Sequence, residues 1–171
     1  MHRWSTGHSL GGALATLAAW DVHQVIVDMG IKDRVILRLY TYGAPQAGNH
    51  TFARLYKAAI PNAWDVVNDA DVVPRSTKYM RVYKRTGHRV IIGKSGDLLC
   101  RPSWMEMNIK NSTFNSMADH LLGSYRAAFA AIAVAQFNKR KGVSGGPAGV
   151  RRLWANKDAR QLMEWVLVRG C

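Results

Sequence analysis

Residues 5–20 read STGHSLGGALATLAAW, a serine set between glycines and followed by an apolar stretch at helical spacing. In the pattern Gly-x-Ser-x-Gly, here Gly7 to Gly11 with Gly12 behind it, the serine sits on a tight strand-to-helix turn, and small neighbours let strand and helix approach closely. A serine hydroxyl is a poor nucleophile at neutral pH, so it needs a base to take its proton and donors to hold an oxyanion. A helix opening at Leu10 turns its positive end toward Ser9, and the Leu10 backbone N–H is the natural oxyanion donor. The pentapeptide alone is weak evidence, since it arises by chance in roughly one chain in ten to twenty of this length. Its surroundings strengthen it. His2 to Thr6 reads as a short strand, and Leu10 to Asp28 as a helix with an apolar stripe of Leu10, Leu14, Leu17, Ala18, Val25 and Met29, closed by Gly30.

Working outward, Arg34 to Tyr42 (RVILRLYTY) is β-branched and aromatic and reads as a strand. GAPQAGN is a loop, Thr51 to Ile60 a short helix stopped by Pro61, and AWDVV from Ala63 a further strand. Strand, helix, strand, helix, strand implies a parallel α/β sheet. Between Lys78 and Gly93, YMRVY and HRVII flank KRTG, which predicts a hairpin with Gly87 in its turn. Lys94 to Asn115 reads as irregular loop. Ser116, three residues before Asp119, offers a helix cap, and Leu121, Leu122, Tyr125, Phe129 and Ile132 form the expected buried stripe of the helix that follows. Residues 1–137 therefore read as one partial α/β domain. Residues 138–171 read as a basic glycine-rich linker and an amphipathic helix with Leu162, Met163, Val166 and Leu167 on one face.

The chain has 171 residues and a net charge of +13, and residues 138–171 carry 8 basic against 2 acidic side chains, +6 of that total. Such a surplus favours anionic surfaces. The basic residues are not interleaved with stacking aromatics, and no nucleic-acid motif is present, so a nucleic-acid partner is not expected. The two cysteines, Cys100 and Cys171, have no metal-ligand spacing and do not read as a disulfide framework. No stretch reads as a membrane span. The most apolar run, AAFAAIAVA from Ala127, has about half the length required. MHRWST has no signal-peptide pattern. Sequons stand at Asn49 and Asn111.

An α/β site built around Ser9 takes its acid and then its base from later in the chain. Asp65, Asp69 and Asp71 follow one another around the third strand. Asp65 lies within the strand and is disfavoured, because catalytic groups of parallel sheets sit beyond the strands' C-terminal ends. Spacing does not choose between Asp69 and Asp71. For the base, His88 is placed like a sheet-surface histidine, whereas His120 opens the late helix, where the chain folds back over the sheet. His8 is adjacent to Ser9, so the two side chains diverge, and it is expected to pack against the core.

Taken together these segments resemble the class 3 (fungal-type) lipases. TGHSLGGALATLAA is similar to that family's nucleophile elbow and TYGAPQAGNHTFA to its second signature. NDADVVP is similar to its acid loop, YKRTGHRVII to its hairpin and DHLLGSY to its histidine segment. The resemblance runs from about Thr6 to Tyr125. It implies an α/β-hydrolase fold and serine ester hydrolysis of acylglycerols or related lipids. The implied machinery is Ser9 as nucleophile, His120 as base and Asp71 as acid, with the Leu10 N–H at the oxyanion and neither metal nor organic cofactor. Family members carry strands, an oxyanion loop and usually a lid ahead of the elbow. The chain is accordingly expected to be the C-terminal part of a lipase domain, with a mostly parallel partial sheet, flanking helices and a hairpin, and the N-terminal strands missing. His2 and Arg3 do not suit a strand buried on both faces. The alternative is an impaired lipase fragment that binds lipid or a partner. Under either reading the basic C-terminal helix is a candidate for lipid-surface contact.

Overall fold

The computed structural model describes residues 1–76, 82–103 and 116–139. Strands β1 (His2–His8), β2 (Ile36–Tyr42), β4 (Ala63–Asn68), β6 (His88–Ile92) and β7 (Leu98–Cys100) form a five-stranded sheet in the order β1-β2-β4-β6-β7. The first four strands run parallel, and β7 is antiparallel to β6. Helices α1 (Leu10–Asp28) and α2 (His50–Ala59) cover one face and α4 (Leu122–Lys139) the other, with the short α3 (Val73–Ser76) after β4. A two-stranded ribbon pairs β3 (Gly48–Asn49) with β5 (Tyr83–Lys84).

The period-two alternation of the strands sorts the two cores. Tyr42, Val66, Val90 and Ile92 point to the α4 side and meet Tyr125, Ala128 and Ile132. Leu39 and Ala63 point to the other side and meet Ala15 and Ala19 of α1, Tyr56 of α2 and Ile60 just after it. Full burial of side chains such as Leu39 and Ile92 contributes about 1.5–3 kcal/mol each. Asn49 caps α2, its side chain accepting the Phe52 N–H at 2.9 Å.

Four expectations need correction. First, the apolar stripe of α1 faces outward. Leu10, Leu14, Leu17, Val25 and Met29 are 42–66% exposed, and the buried residues are Gly12, Ala13, Ala15, Thr16, Ala19, His23 and Ile26. The reason is steric. A Cβ on Gly7 would lie 2.2 Å from the Gly11 carbonyl oxygen, and one on Gly12 would lie 2.6 Å from the Ala44 Cβ. Over the turns held that close, the inner face of the helix has room only for small side chains, and the larger His23 and Ile26 are buried farther along it. Second, the segment around Gly87 is not a hairpin. His88–Ile92 joins the main sheet beside β4, Tyr83–Lys84 pairs with β3, and the hairpin is β6–β7, turning through Gly93–Gly96 inside the segment read as loop. Gly87 serves close packing instead. Its N–H donates to Asp65 Oδ2 at 3.1 Å, and a Cβ there would meet Asp65 Oδ1 at 2.8 Å.

Third, Leu121 and Leu122 are 63% and 57% exposed, and the inner face of α4 is carried by Tyr125, Ala128 and Ile132 with Phe129 half-buried. The Ser116 hydroxyl oxygen accepts the Asp119 N–H at 3.2 Å, within the 3₁₀ turn Ala118–His120 whose N-cap is Met117, and so does not cap α4. Fourth, α1 is long and apolar enough, at mean hydropathy 1.3, to cross a membrane by length and composition. It packs on the sheet, and a core helix passes the same test. A lesser difference is a 3₁₀ turn at Lys32–Arg34 ahead of β2. Cys100 is free and exposed. His2 and Arg3 are accommodated because β1 is an edge strand. Trp4 of this strand stacks on Tyr40 of β2 at 5.7 Å between ring centroids, under the Arg38 guanidinium. The expected linker and terminal helix, from Arg140 onward, lie outside the described residues, as do Cys171 and Asn111.

The close approach assigns different weights to two glycines of one motif. Gly7→Ala is expected to cost about 1–3 kcal/mol through overpacking against α1. A Cβ at Gly11 meets nothing within 4 Å. Gly11→Ala should therefore raise stability by about 0.5–1 kcal/mol through helix propensity. Urea denaturation of both variants reads the contrast, and equal losses would place the close contact elsewhere.

Candidate active site

Ser9 lies between the end of β1 and the start of α1 with φ 56° and ψ −130°. That left-handed conformation costs a non-glycine residue about 1–3 kcal/mol. It is held by the Ser9 N–H donating to the Tyr42 carbonyl at 2.9 Å, and by the Ser9 carbonyl accepting the Gly12 N–H at 2.9 Å. The turn thrusts the hydroxyl out at the C-terminal edge of the sheet. Leu10 is the first residue of α1, so its N–H has no carbonyl within the helix to donate to.

Asp71 sits in the loop after β4 and has 0% exposure. Its carboxylate accepts from three donors: His120 Nδ1–H at 3.0 Å to either oxygen, the Val73 N–H at 2.9 Å and the Tyr125 hydroxyl at 2.5 Å. An acceptor on Nδ1 fixes the proton there and leaves the His120 Nε2 lone pair free. The Ser9 Oγ–H donates to that nitrogen at 2.8 Å. Gly43 (φ 58°) passes so close that a Cβ would lie 2.5 Å from Asp71 Oδ2 and 3.1 Å from His120 Nδ1. The glycine of TYGAP therefore makes room for the hydrogen-bonded Asp71–His120 pair.

The structure thus brings Ser9, His120 and Asp71 into one hydrogen-bonded line. It separates the rejected groups from it. Asp65 is buried in β4, accepting from Thr41 Oγ1 at 2.9 Å and paired with Arg85 at 3.6 Å. Asp69 pairs with Arg75 at 3.7 Å. His88 packs on Trp64 within the sheet. A crevice of about 390 Å³ lies between α1 and the first half of β1, lined by Arg3, Ser5, Ala19, Val22 and Ile26 among others, and touches none of the three groups.

Sequence reasoning missed two residues that shape the site. Tyr125 appeared only as a member of an apolar stripe. Its hydroxyl donates to Asp71 and accepts the Asn68 N–H at 3.0 Å, and burial, together with the hydrogen bond to Asp71, pushes its pKa far above the ordinary phenol value. It remains a neutral donor. Asn68, 2% exposed, closes β4 onto the base segment, its Nδ2 donating to the Asp119 carbonyl at 3.1 Å and to Ser124 Oγ at 3.0 Å. Asp119 is further held by the Lys94 ammonium, which with the Ser124 hydroxyl keeps its carboxyl below the usual range. A tyrosine five residues after a candidate base, one helical turn into α4, was the available signal.

The family model described as lipase (class 3) matches residues 1–80. A lipase of Caenorhabditis elegans is 36% identical over 97 residues, 57% of this chain and 26% of that protein. A chloroplastic phospholipase A1 of Arabidopsis thaliana is 44% identical over 72 residues, 42% of this chain and 14% of that protein. The solved structure of a triacylglycerol lipase, described as having a catalytic centre formed by a serine protease triad, superposes with TM-score 0.57 at 31% identity, covering 69% of this chain and 45% of that one. The chain therefore spans less than half the length of each of these relatives. The sheet and helices described above are an α/β-hydrolase fold in part.

Tyr125→Phe should remove a donor from Asp71 and leave the buried Asn68 N–H unpaired. The expected loss is about 1–3 kcal/mol of unfolding free energy, measured by urea titration. An unchanged midpoint would mean that the hydroxyl carries nothing.

Proposed function

This chain belongs to the class 3 lipase family, and we propose that it hydrolyses carboxylic esters of acylglycerols or related lipids with Ser9 as nucleophile, His120 as base and Asp71 as acid. The observation that carries the reading is the unbroken line from Ser9 Oγ to His120 Nε2 and from His120 Nδ1 to Asp71. Ser9 Oγ attacks the ester carbonyl while its proton passes to His120 Nε2. The oxyanion is held by the Leu10 N–H at the positive end of α1. The imidazolium is stabilised by the Asp71 carboxylate and then gives its proton to the departing alkoxide, releasing alcohol and leaving an acyl-serine. Water, deprotonated by the same imidazole, attacks the acyl-serine, and the proton held by His120 returns to Ser9 Oγ as the ester bond breaks and the acid leaves.

Apolar side chains beside the reacting groups suit a lipid ester. Leu10 follows the nucleophile and Leu121 the base, at 66% and 63% exposure. The class also agrees with the described activities of the relatives, acylglycerol and phospholipid hydrolysis. Contact of the basic segment 138–171 with an anionic lipid surface belongs to the same proposal and rests on its charge of +6.

Hydrolysis of a short-chain aryl ester and of emulsified triacylglycerol by the purified chain, set against Ser9→Ala, tests the reading. A working triad should lose on the order of 10⁶ in kcat, and a fluorophosphonate probe should label the parent chain and not the variant. Equal rates from the two would sink the catalytic assignment. Vesicle binding without turnover or labelling would favour the binding-module alternative.

A further inference from the structure

We propose that His8 is a positioning residue that ties the segment carrying the base to the strand carrying the nucleophile. The inference rests on the catalytic reading of Ser9 and His120 and adds to it. His120 belongs to a 3₁₀ turn outside the sheet, so its place relative to Ser9 depends on tethers. Several of these lead to the acid's side of the site. The Ser116 N–H donates to the Ala70 carbonyl at 2.8 Å, Asn68 Nδ2 donates to the Asp119 carbonyl, and Lys94 near the end of β6 pairs with Asp119. They fix His120 against Asp71 and do nothing to hold it against Ser9.

His8 supplies that second constraint. It is the last residue of β1, immediately before Ser9, and its half-buried ring turns away from the serine toward the base segment. Nε2–H donates to the His120 backbone carbonyl at 2.7 Å. A carbonyl only accepts, so the proton lies on Nε2. The His8 ring lies over the His120 ring at 4.7 Å between centroids with 33° between planes, and meets Tyr125 edge-on at 5.7 Å. One side chain therefore grips both the main chain and the imidazole of the base. Because residues 8 and 9 share one rigid strand end, any drift of the base segment from Ser9 must first break this grip. A misplacement of about 1 Å between reacting groups costs on the order of 10²-fold in rate, so a tether of this kind acts on rate more than on substrate binding.

Two variants separate the hydrogen bond from mere filling of space. His8→Phe keeps a ring and loses the donor. His8→Gln places its amide nitrogen near the position of Nε2 and keeps the donor. His8→Phe should slow fluorophosphonate labelling of Ser9 and lower kcat about 10–100-fold with KM little changed, while the low-field proton of the Asp71–His120 hydrogen bond persists in the NMR spectrum. His8→Gln should recover most of the rate. Wild-type labelling and kcat in His8→Phe, or equal losses in both variants, would overturn the proposal. If the parent chain shows no Ser9-dependent turnover, the proposed function fails while the tether is still read by NMR. His120 ring resonances broadened in His8→Phe and sharp in His8→Gln support it, and ring resonances unchanged in both refute it.

Discussion

A carboxylate without solvent access is the most demanding group in this chain. An isolated charge at such a position would cost many kcal/mol. Asp71 stays viable because three donors from three segments converge on it: the Val73 N–H at the start of α3, the Tyr125 hydroxyl from the first turn of α4, and His120 Nδ1–H from the turn between. The dependence runs both ways. The charge needs those donors, and the donors are gathered by the charge, so α4 and the base segment dock onto the end of β4 at one spot. Gly43 is glycine because nothing larger fits beside that cluster.

The chemistry was more legible in the sequence than the packing. Ser9 was readable because a serine presented on a tight strand-to-helix turn demands small neighbours at fixed offsets, and a local demand leaves a local trace. The choice of Asp71 over Asp69 came from resemblance and not from spacing, since both stand in one short loop. The structure separates them by burial, with Asp71 enclosed and Asp69 on Arg75. Tyr125 and His8 were not legible in their roles. Their functional contacts are to residues 54 and 112 positions away. The spacing of Tyr125 from His120 is the one local trace of its contact, and nothing in the local pattern marks an imidazole at His8 that reaches so far. The strand at His88–Ile92 was readable as a strand but not its partner. Alternation specifies a face, and register and neighbour come from tertiary fit, here from Gly87 pressed against Asp65 and Ala63.

The largest misreading, the outward stripe of α1, follows from the same demand that made Ser9 legible. Sequence reasoning assumes that the bulkier apolar side of a helix is the buried one, as area arguments favour. In α1 the elbow overrides that preference. The motif brings the backbone of Gly7 within a methyl group's distance of the Gly11 carbonyl, so strand and helix touch along their main chains. At that separation the inner face accommodates Gly12, Ala15, Thr16 and Ala19. A leucine at Ala15 or Ala19 would lever the helix off the sheet and carry the Leu10 N–H away from the Ser9 hydroxyl. The long side chains are left to the outer face because the position of one N–H relative to one hydroxyl is set by how closely the first turn of α1 lies on β1.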